Sequence, residues 1–428
     1  MGVTPPGVLG HPSPMSGSFE ETLRQRLDAV HAQGLWRSLK PVDDRSVSVL
    51  ETGGHRLVSF AGNDYLGLSL HPAVMEAAVR AVYDWGAGSA ASRLISGSLA
   101  VHHQLEETLA EFLGTEAALG FTTGHAAATG VIPALVGPGD VVVVDRLVHA
   151  CCVDAARLSG AKLRVFRHND LDDLERILGW ASGLPRDASG GPRVLVVTEG
   201  VFSMEGDSAP LAGLVELKER HGAWLMLDEA HSTGVMGPEG RGLAAELGLG
   251  QRIEVRMGTL GKALGASGGF IAGSRALIDL LVNRARSFIF STAPVPAAAA
   301  AATAALELMT TRDGEEARAR LRSIAAAGAA VVARAFQGSS DSAPSEDSVG
   351  HIRPVIVGDE SEAVALAERL RAAGAWVPAI RHPTVARGAA RLRLTFSAAH
   401  TQSDLDLLEQ ALNRASLQTP PTPSGRTA

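Results

Sequence analysis

Residues 140–145 read Asp-Val-Val-Val-Val-Asp, four β-branched residues in a row between two acids. A strand with one wet face alternates apolar and polar residues, so an unbroken run predicts a strand covered on both faces. Residues 194–198 (VLVVT) and 224–227 (WLML) have the same texture, and shorter apolar runs stand at 117–121 and 163–166. Helical sequence fills the gaps: from the turn at 122–124 through 136, after residue 149, over 171–182 and over 211–221. Alternating strands and helices with short links predict an α/β fold, a large and mostly parallel sheet covered by helices.

Near residue 300 the texture changes. Helical sequence rich in Ala, Arg and Glu runs to 337, and the polar stretch 338–350 (GSSDSAPSEDSVG) reads as an exposed loop. A strand at 351–357, a helix at 361–373, a strand at 391–396 and a helix at 403–415 then predict a smaller C-terminal α/β domain. The expected organisation is a disordered arm over 1–18 and a helix from 19 to about 39, with short strands up to 60. A large domain over 61–300, the small domain over 301–416 and a disordered tail over 417–428 follow.

Composition narrows the function classes. With 46% hydrophobic residues in 428, the chain can bury a large core. Its net charge of −7, without a basic stripe, argues against nucleic acid as a partner. The start of the chain lacks a basic segment leading into an apolar run, and the weakly apolar stretch 295–309 is mostly alanine, so no membrane association is expected. The two cysteines, Cys151 and Cys152, are neighbours. That arrangement fits neither a disulfide framework nor zinc spacing, so a reduced, cytoplasmic setting and no metal are expected.

Four segments carry chemistry. Thr198-Glu199-Gly200-Val201-Phe202-Ser203 leaves the carboxyl end of a buried strand, the edge where open α/β sheets bind ligands. Asp228-Glu229-Ala230-His231 leaves the next strand, placing an acid and an imidazole within reach of one ligand; alone, Asp228 is equally an N-cap. Gly258-Thr259-Leu260-Gly261-Lys262-Ala263 resembles a nucleotide phosphate loop, but Ala263 breaks the G-x-x-x-x-G-K-[ST] pattern. The chain has four lysines in an arginine-rich background, and Lys262 has no charged neighbour from 257 to 271. Arginine cannot give up a proton to form an imine, whereas a desolvated lysine can. Finally, Thr122-Thr123-Gly124-His125 joins a strand to a helix whose first N–H groups suit a phosphate. Each segment alone has a bland structural explanation. Together they match the parts list of pyridoxal phosphate: an imine-forming lysine, an acid for the ring nitrogen and a phosphate cradle.

The motifs NDYLGLS (63–69), GSAASRLISGS (88–98), DRLVHA (145–150), RHND (167–170), TEGVFSMEGDSAPL (198–211), LDEAHSTGVMGPEGRG (227–242), GTLGKALG (258–265) and AIRHPTVARGAARLRLTFSAAH (379–400) cover nearly the whole chain. They resemble the α-oxoamine synthases, pyridoxal-phosphate transferases of fold type I. The resemblance implies that Lys262 is the Schiff-base lysine, Asp228 the acid on the pyridine nitrogen and His149 the imidazole stacked on the ring. It implies His231 and Ser203 at the ring oxygen, Glu199 near the substrate, and Gly124, His125 and Thr259 at the phosphate. Ser291 and Thr292 would reach the phosphate of a partner subunit in a homodimer. Arg37, Thr384 and Arg393 would bind substrate, Arg393 taking the amino-acid carboxylate. His125 stands where the family usually carries an aromatic residue. Within the family, MEGDSAPL and RHND favour decarboxylative condensation of L-alanine with a pimeloyl thioester of coenzyme A or acyl carrier protein. Glycine C-acetyltransferase chemistry is the alternative. A catalytically silent partner subunit would lack Lys262, and a cofactor-free lysine aldolase would not need Asp228, His231 or the cradle.

Overall fold

The computed structural model describes residues 18–185, 191–336 and 350–417. All but Ser18 of the expected disordered arm, all but Leu417 of the tail, and nearly all of the loop 338–350 lie outside these residues; Ser18 caps the first helix and Leu417 ends the last. The chain divides into two compact units, Met1–Pro41 and Val42–Ala428. In the first, the helix Phe19–Ala32 opens with a reciprocal cap: the Glu21 N–H donates to Ser18 Oγ and the Ser18 N–H to Glu21 Oε2, both at 3.2 Å. The helix stops seven residues short of the expected end near 39. Gly34 turns left-handed at φ +65°, and this closes the helix as glycine commonly does.

The second unit is built on seven strands: β1 (Ala117–Phe121), β2 (Val141–Asp145), β3 (Lys162–Phe166), β4 (Val194–Glu199), β5 (Trp224–Asp228), β6 (Val255–Thr259) and β7 (Gly269–Gly273). Their order is β1-β7-β6-β5-β4-β2-β3. β3, β2, β4, β5 and β6 are mutually parallel, and β7 runs antiparallel between β6 and β1. The four valines of β2 are at most 1% exposed, as a doubly covered strand requires. β6 (VRMGT) and β7 (GFIAG) carry too few β-branched residues to stand out in the sequence. They form the antiparallel arm whose connection holds Lys262.

A second sheet joins Ile352–Gly358, Ala390–Thr395 and Ala379–Ile380 in antiparallel pairs. Its core also takes in Phe60, Tyr65 and Leu66 from early in the chain. The helix Pro296–Met309 spans the expected boundary near 300 and packs on the helices Pro72–Trp85 and Ala100–Leu113.

Two buried ion pairs lock elements around the sheet. Arg93 gives two N–H bonds of 2.8 and 2.9 Å to Glu106, which also accepts the Gly120 N–H. Arg256 binds Glu229 at 2.6 Å, with side-chain exposures of 2% and 1%. Its remaining donors reach the carbonyls of Leu113 and Arg241, and Glu229 accepts the Ala244 N–H. Removing one member strands a charge in the core, at a cost of about 3–5 kcal/mol. Arg256→Met should therefore lower the denaturation midpoint strongly. Arg312→Ala breaks an exposed pair with Glu316, and should change stability by no more than about 0.5 kcal/mol in the same denaturant titration.

Candidate active site

Lys262 sits in the turn between β6 and β7. The turn packs tightly against the segment around Ser69. Gly265 has φ +64°, and a Cβ there would lie 2.3 Å from the Ser69 nitrogen, so only glycine fits. Lys262 Nζ is 2.7 Å from His231 Nε2. Burial lowers the Lys262 pKa, while the carboxylates of Asp228 and Glu199 pull it back up.

Those two acids come from neighbouring strands. Glu199 ends β4, Asp228 ends β5, and they are register partners across the parallel ladder. Burial pushes the Asp228 carboxyl up to about 6. Burial and then the charge of Asp228 push Glu199 to about 8. Asp228 Oδ1 accepts the Ala230 N–H at 3.0 Å, and Oδ2 takes no hydrogen bond from the described residues. A buried carboxylate with an unused oxygen calls for a cationic donor, and a protonated pyridine nitrogen supplies one. Glu199 accepts the backbone N–H of His149. The His149 ring lies at the surface, its Nδ1 3.0 Å from Cys151 Sγ and within reach of the Cys151 N–H at 3.2 Å. The thiol of Cys151 is the first cause of a raised His149 pKa.

On the other side, His231 Nδ1 lies 2.7 Å from the hydroxyl of Tyr65, a phenol 1% exposed. The Tyr65 hydroxyl reaches Asn63 Oδ1 at 3.1 Å. Arg393, on the C-terminal sheet, donates through Nε to the Ser203 carbonyl and directs both terminal nitrogens at Asn63 Oδ1, 3.4 Å away. His351 packs edge-on against the Tyr65 ring, centroids 4.5 Å apart, with neither ring nitrogen hydrogen-bonded.

The turn before the helix Gly124–Leu135 fits a phosphate. Thr123 caps the helix by accepting the Ala126 N–H, which leaves the Gly124 and His125 N–H groups without helical partners. Thr259 borders this turn, since a Cβ on Gly124 would lie 3.8 Å from Thr259 Cβ.

The fold thus gathers Lys262, His231, Asp228, Glu199, His149, Ser203 and Arg393, with Gly124, His125 and Thr259 alongside. Ser291 and Thr292 follow the helix Arg286–Ile289, where Thr292 bridges Ser92. Thr384 stands exposed in the turn after Arg381, whose carbonyl accepts its N–H at 3.0 Å. Arg37 belongs to the N-terminal unit and lies exposed beyond its helix. Sequence reasoning missed Asn63, Tyr65, Cys151 and His351. The scarcity of tyrosine, two in the chain, was the available signal for Tyr65. The neighbouring cysteines suggested no metal spacing, yet the fold brings the sulfurs of Cys151 and Cys152 and a carboxylate oxygen of Asp228 within 4.8 Å of one another.

Comparison with known proteins narrows the class. The pattern of the family "Aminotransferase class I and II" matches residues 55–412. A serine palmitoyltransferase from S. paucimobilis, solved with a bound PLP–myriocin aldimine, superposes with a TM-score of 0.84 at 29% identity, covering 93% of this chain and 97% of that one. The chain belongs to the class I and II aminotransferase family and has the fold of its pyridoxal-phosphate enzymes. Within that family its similar relatives include synthases of one biosynthetic reaction. The 8-amino-7-oxononanoate synthase of Geobacter sulfurreducens is 47% identical over 389 residues, 91% of this chain and 96% of that protein. That of Anaeromyxobacter sp. is 49% identical over 393 residues, 91% and 94% of the two. The crystal structure of 8-amino-7-oxononanoate synthase from Francisella tularensis superposes with a TM-score of 0.69 at 27% identity, covering 84% and 97%.

The raised pKa of Asp228 makes a signed prediction for the cofactor-free protein. The folded state binds this proton more tightly than the unfolded chain, so the stabilisation is present at low pH and fades as pH rises through about 6. Asp228→Asn stays neutral throughout. Its melting temperature relative to the unsubstituted chain should rise from pH 4 to pH 8 in a thermal denaturation series.

Proposed function

We propose that the chain condenses L-alanine with a pimeloyl thioester, of coenzyme A or acyl carrier protein, releasing CO2 and the free thiol and forming 8-amino-7-oxononanoate. The observation that carries this reading is the pairing of Lys262 with the buried acid Asp228 on one sheet edge. The chain that holds the pair is 44–49% identical over nine-tenths of its length to synthases of that name. The absence of any described helix long and apolar enough to cross a membrane is consistent with a cytoplasmic enzyme, and the buried, unpaired Cys151 and Cys152 with a reduced setting.

Lys262 would hold pyridoxal phosphate covalently through Nζ, with Asp228 at the ring nitrogen, His149 on the ring face, and His231 and Ser203 on the side of the ring oxygen. The N–H groups of Gly124 and His125 and the hydroxyl of Thr259 would take the phosphate, joined by Ser291 and Thr292 of a second copy in a homodimer. When bound, the cofactor supplies an electron-withdrawing ring that stabilises negative charge at the amino acid's Cα. Asp228 keeps that ring nitrogen protonated. Arg393 would bind the carboxylate of alanine, as a planar guanidinium does best. Lys262, whose pKa burial lowers, removes the Cα proton as general base. The Cα–acyl bond then forms, the thiol leaves, the carboxylate departs as CO2, and Lys262 returns a proton to Cα. Thr384 would bind substrate. Glu199, which accepts the His149 backbone N–H, would lie near the substrate.

A second reading, another α-oxoamine synthase acting on glycine or serine, such as a glycine C-acetyltransferase, draws on the serine palmitoyltransferase likeness. Steady-state assays of L-alanine, glycine and L-serine against pimeloyl, acetyl and palmitoyl thioesters separate the two. Alanine with the pimeloyl thioester should exceed every other pair by about tenfold or more in kcat/KM, roughly what small differences in pocket fit deliver. A preference for glycine or serine would overturn the assignment. Asp228→Ala should still trap cofactor on Lys262 under borohydride, yet lose about a thousandfold in kcat. Near-normal turnover would contradict the electron-sink role.

A further inference from the structure

The motif RHND, at 167–170, takes no part in the reaction proposed above, yet its histidine is bound on both sides. His168 follows β3, with Nδ1 3.0 Å from Asp145 Oδ1 and Nε2 2.8 Å from Asp207 Oδ2. Asp145 ends β2 and is fully buried; it also accepts the N–H groups of Leu147 at 2.8 Å and Asn169 at 2.9 Å. Asn169 in turn donates through Nδ2 to Asp207 at 3.2 Å and to the Ser208 carbonyl at 3.1 Å. Burial lowers the His168 pKa, but the two carboxylates outweigh it and hold the value up at about 10. The ring is therefore an imidazolium at neutral pH, with one N–H for each acid. A neutral ring has a single N–H and would satisfy only one of them.

Asp207 closes the turn 200–208. Its carbonyl accepts the Phe202 N–H at 2.9 Å, the Phe202 carbonyl accepts the Gly206 N–H at 2.8 Å, and Val201 bridges Ser208. The Phe202 ring stands edge-on to His168, centroids 4.4 Å apart. The same turn meets the C-terminal sheet. A Cβ on Gly206 would lie 2.4 Å from the Ile352 carbonyl oxygen. Arg391 donates to the Met204 carbonyl at 3.1 Å and to Glu205 at 2.8 Å, and Arg393 donates through Nε to the Ser203 carbonyl at 2.5 Å. A guanidinium held at Nε keeps its plane fixed and leaves its terminal nitrogens to a carboxylate. Its anchor here is a backbone carbonyl, which is only as fixed as the turn that carries it. We infer that His168 is a positioning residue: bridging Asp145 and Asp207, it fixes the turn 200–208 so that the Ser203 carbonyl holds Arg393 ready for the amino-acid carboxylate. The inference rests on Arg393 taking that carboxylate, as proposed above.

The test separates alanine binding from the rest of the reaction. His168→Gln puts one neutral amide in place of two charged N–H groups on opposite edges of a ring, so it cannot bridge both acids. In the holoenzyme, the dissociation constant of L-alanine, read by spectroscopic titration without the acyl substrate, should rise about tenfold, the scale of one lost hydrogen bond to a charged group. KM for alanine should follow, while kcat and KM for the pimeloyl thioester stay within about threefold. Asp207→Ala, which leaves His168 and Asp145 in place, should act the same way. With Arg393 already Ala, His168→Gln should cost less than about twofold in kcat/KM for alanine, because the residue it positions is gone. In the cofactor-free full chain, amide hydrogen exchange over 200–208 should quicken about tenfold in His168→Gln and stay unchanged over β4. Alanine binding within about twofold of the unsubstituted chain in both variants overturns the inference, as does an equal loss with and without Arg393. A loss spread evenly over alanine, thioester and kcat overturns it too. If Arg393→Ala itself leaves alanine binding unaltered, the carboxylate assignment in the functional reading fails, and the role of His168 with it.

Discussion

Two carboxylates, Glu199 and Asp228, end adjacent parallel strands in register, buried and facing one lysine. Like charges this close disfavour simultaneous ionisation, and burial adds to the cost. Nothing in the strands themselves demands acids there. The site accepts the cost because Lys262, brought in on the β6–β7 turn, balances part of the charge. Asp228 also keeps an oxygen free for a cationic ring. The parallel register sets how far apart the two acids can be, and the antiparallel β7 sets where the lysine turn lies. Had β7 run parallel, its connection from β6 would have been a long crossover rather than a short turn over the edge.

The same edge is closed from the far side by the C-terminal sheet. Arg393 comes from Ala390–Thr395, Asn63 and Tyr65 from just after the strand His55–Ser59, and they meet at the Ser203 carbonyl and at His231. The guanidinium proposed to take the substrate carboxylate thus belongs to a different sheet from the lysine proposed to hold the cofactor. Any relative movement of the two layers would alter the distance between the carboxylate site and the base.

What the sequence made legible was set by local physics. The valine run of β2 and the apolar runs of β4 and β5 could only be covered strands. Lys262, Asp228, His231 and Glu199 followed from their places at strand ends. β6 and β7 were illegible because glycine replaces the β-branched residues that mark a strand. At Gly258 the reason is visible: a Cβ there would lie 2.3 Å from the ring of Phe270 across the ladder. The end of the first helix was misplaced because one glycine, Gly34, outweighed a helical pattern that continued past it. The bonds from Tyr65 to His231 and from Asn63 to Arg393 close over more than 160 and 320 residues of chain, and no local pattern carries such a pairing.

The choice of cation follows a rule across the fold. Where a buried charge must stay fixed, the chain uses arginine: Arg93 on Glu106, Arg256 on Glu229, Arg318 on Glu315 and the Met309 carbonyl, Arg391 on Glu205. A guanidinium cannot lose its proton and satisfies several acceptors at once. Lys218, bound to Glu254, is the buried lysine, and there the partner is a half-exposed carboxylate that anchors the ammonium. Lys262 is half-buried, beside the His231 imidazole and facing the two carboxylates. Its environment pulls in both directions: burial and Arg393 lower its pKa, while Asp228 and Glu199 raise it. The mechanism proposed above has Lys262 bond covalently at rest, take a proton in one step and return it in another, and such a group needs that balance. An arginine at 262 would fix the charge permanently and end both roles.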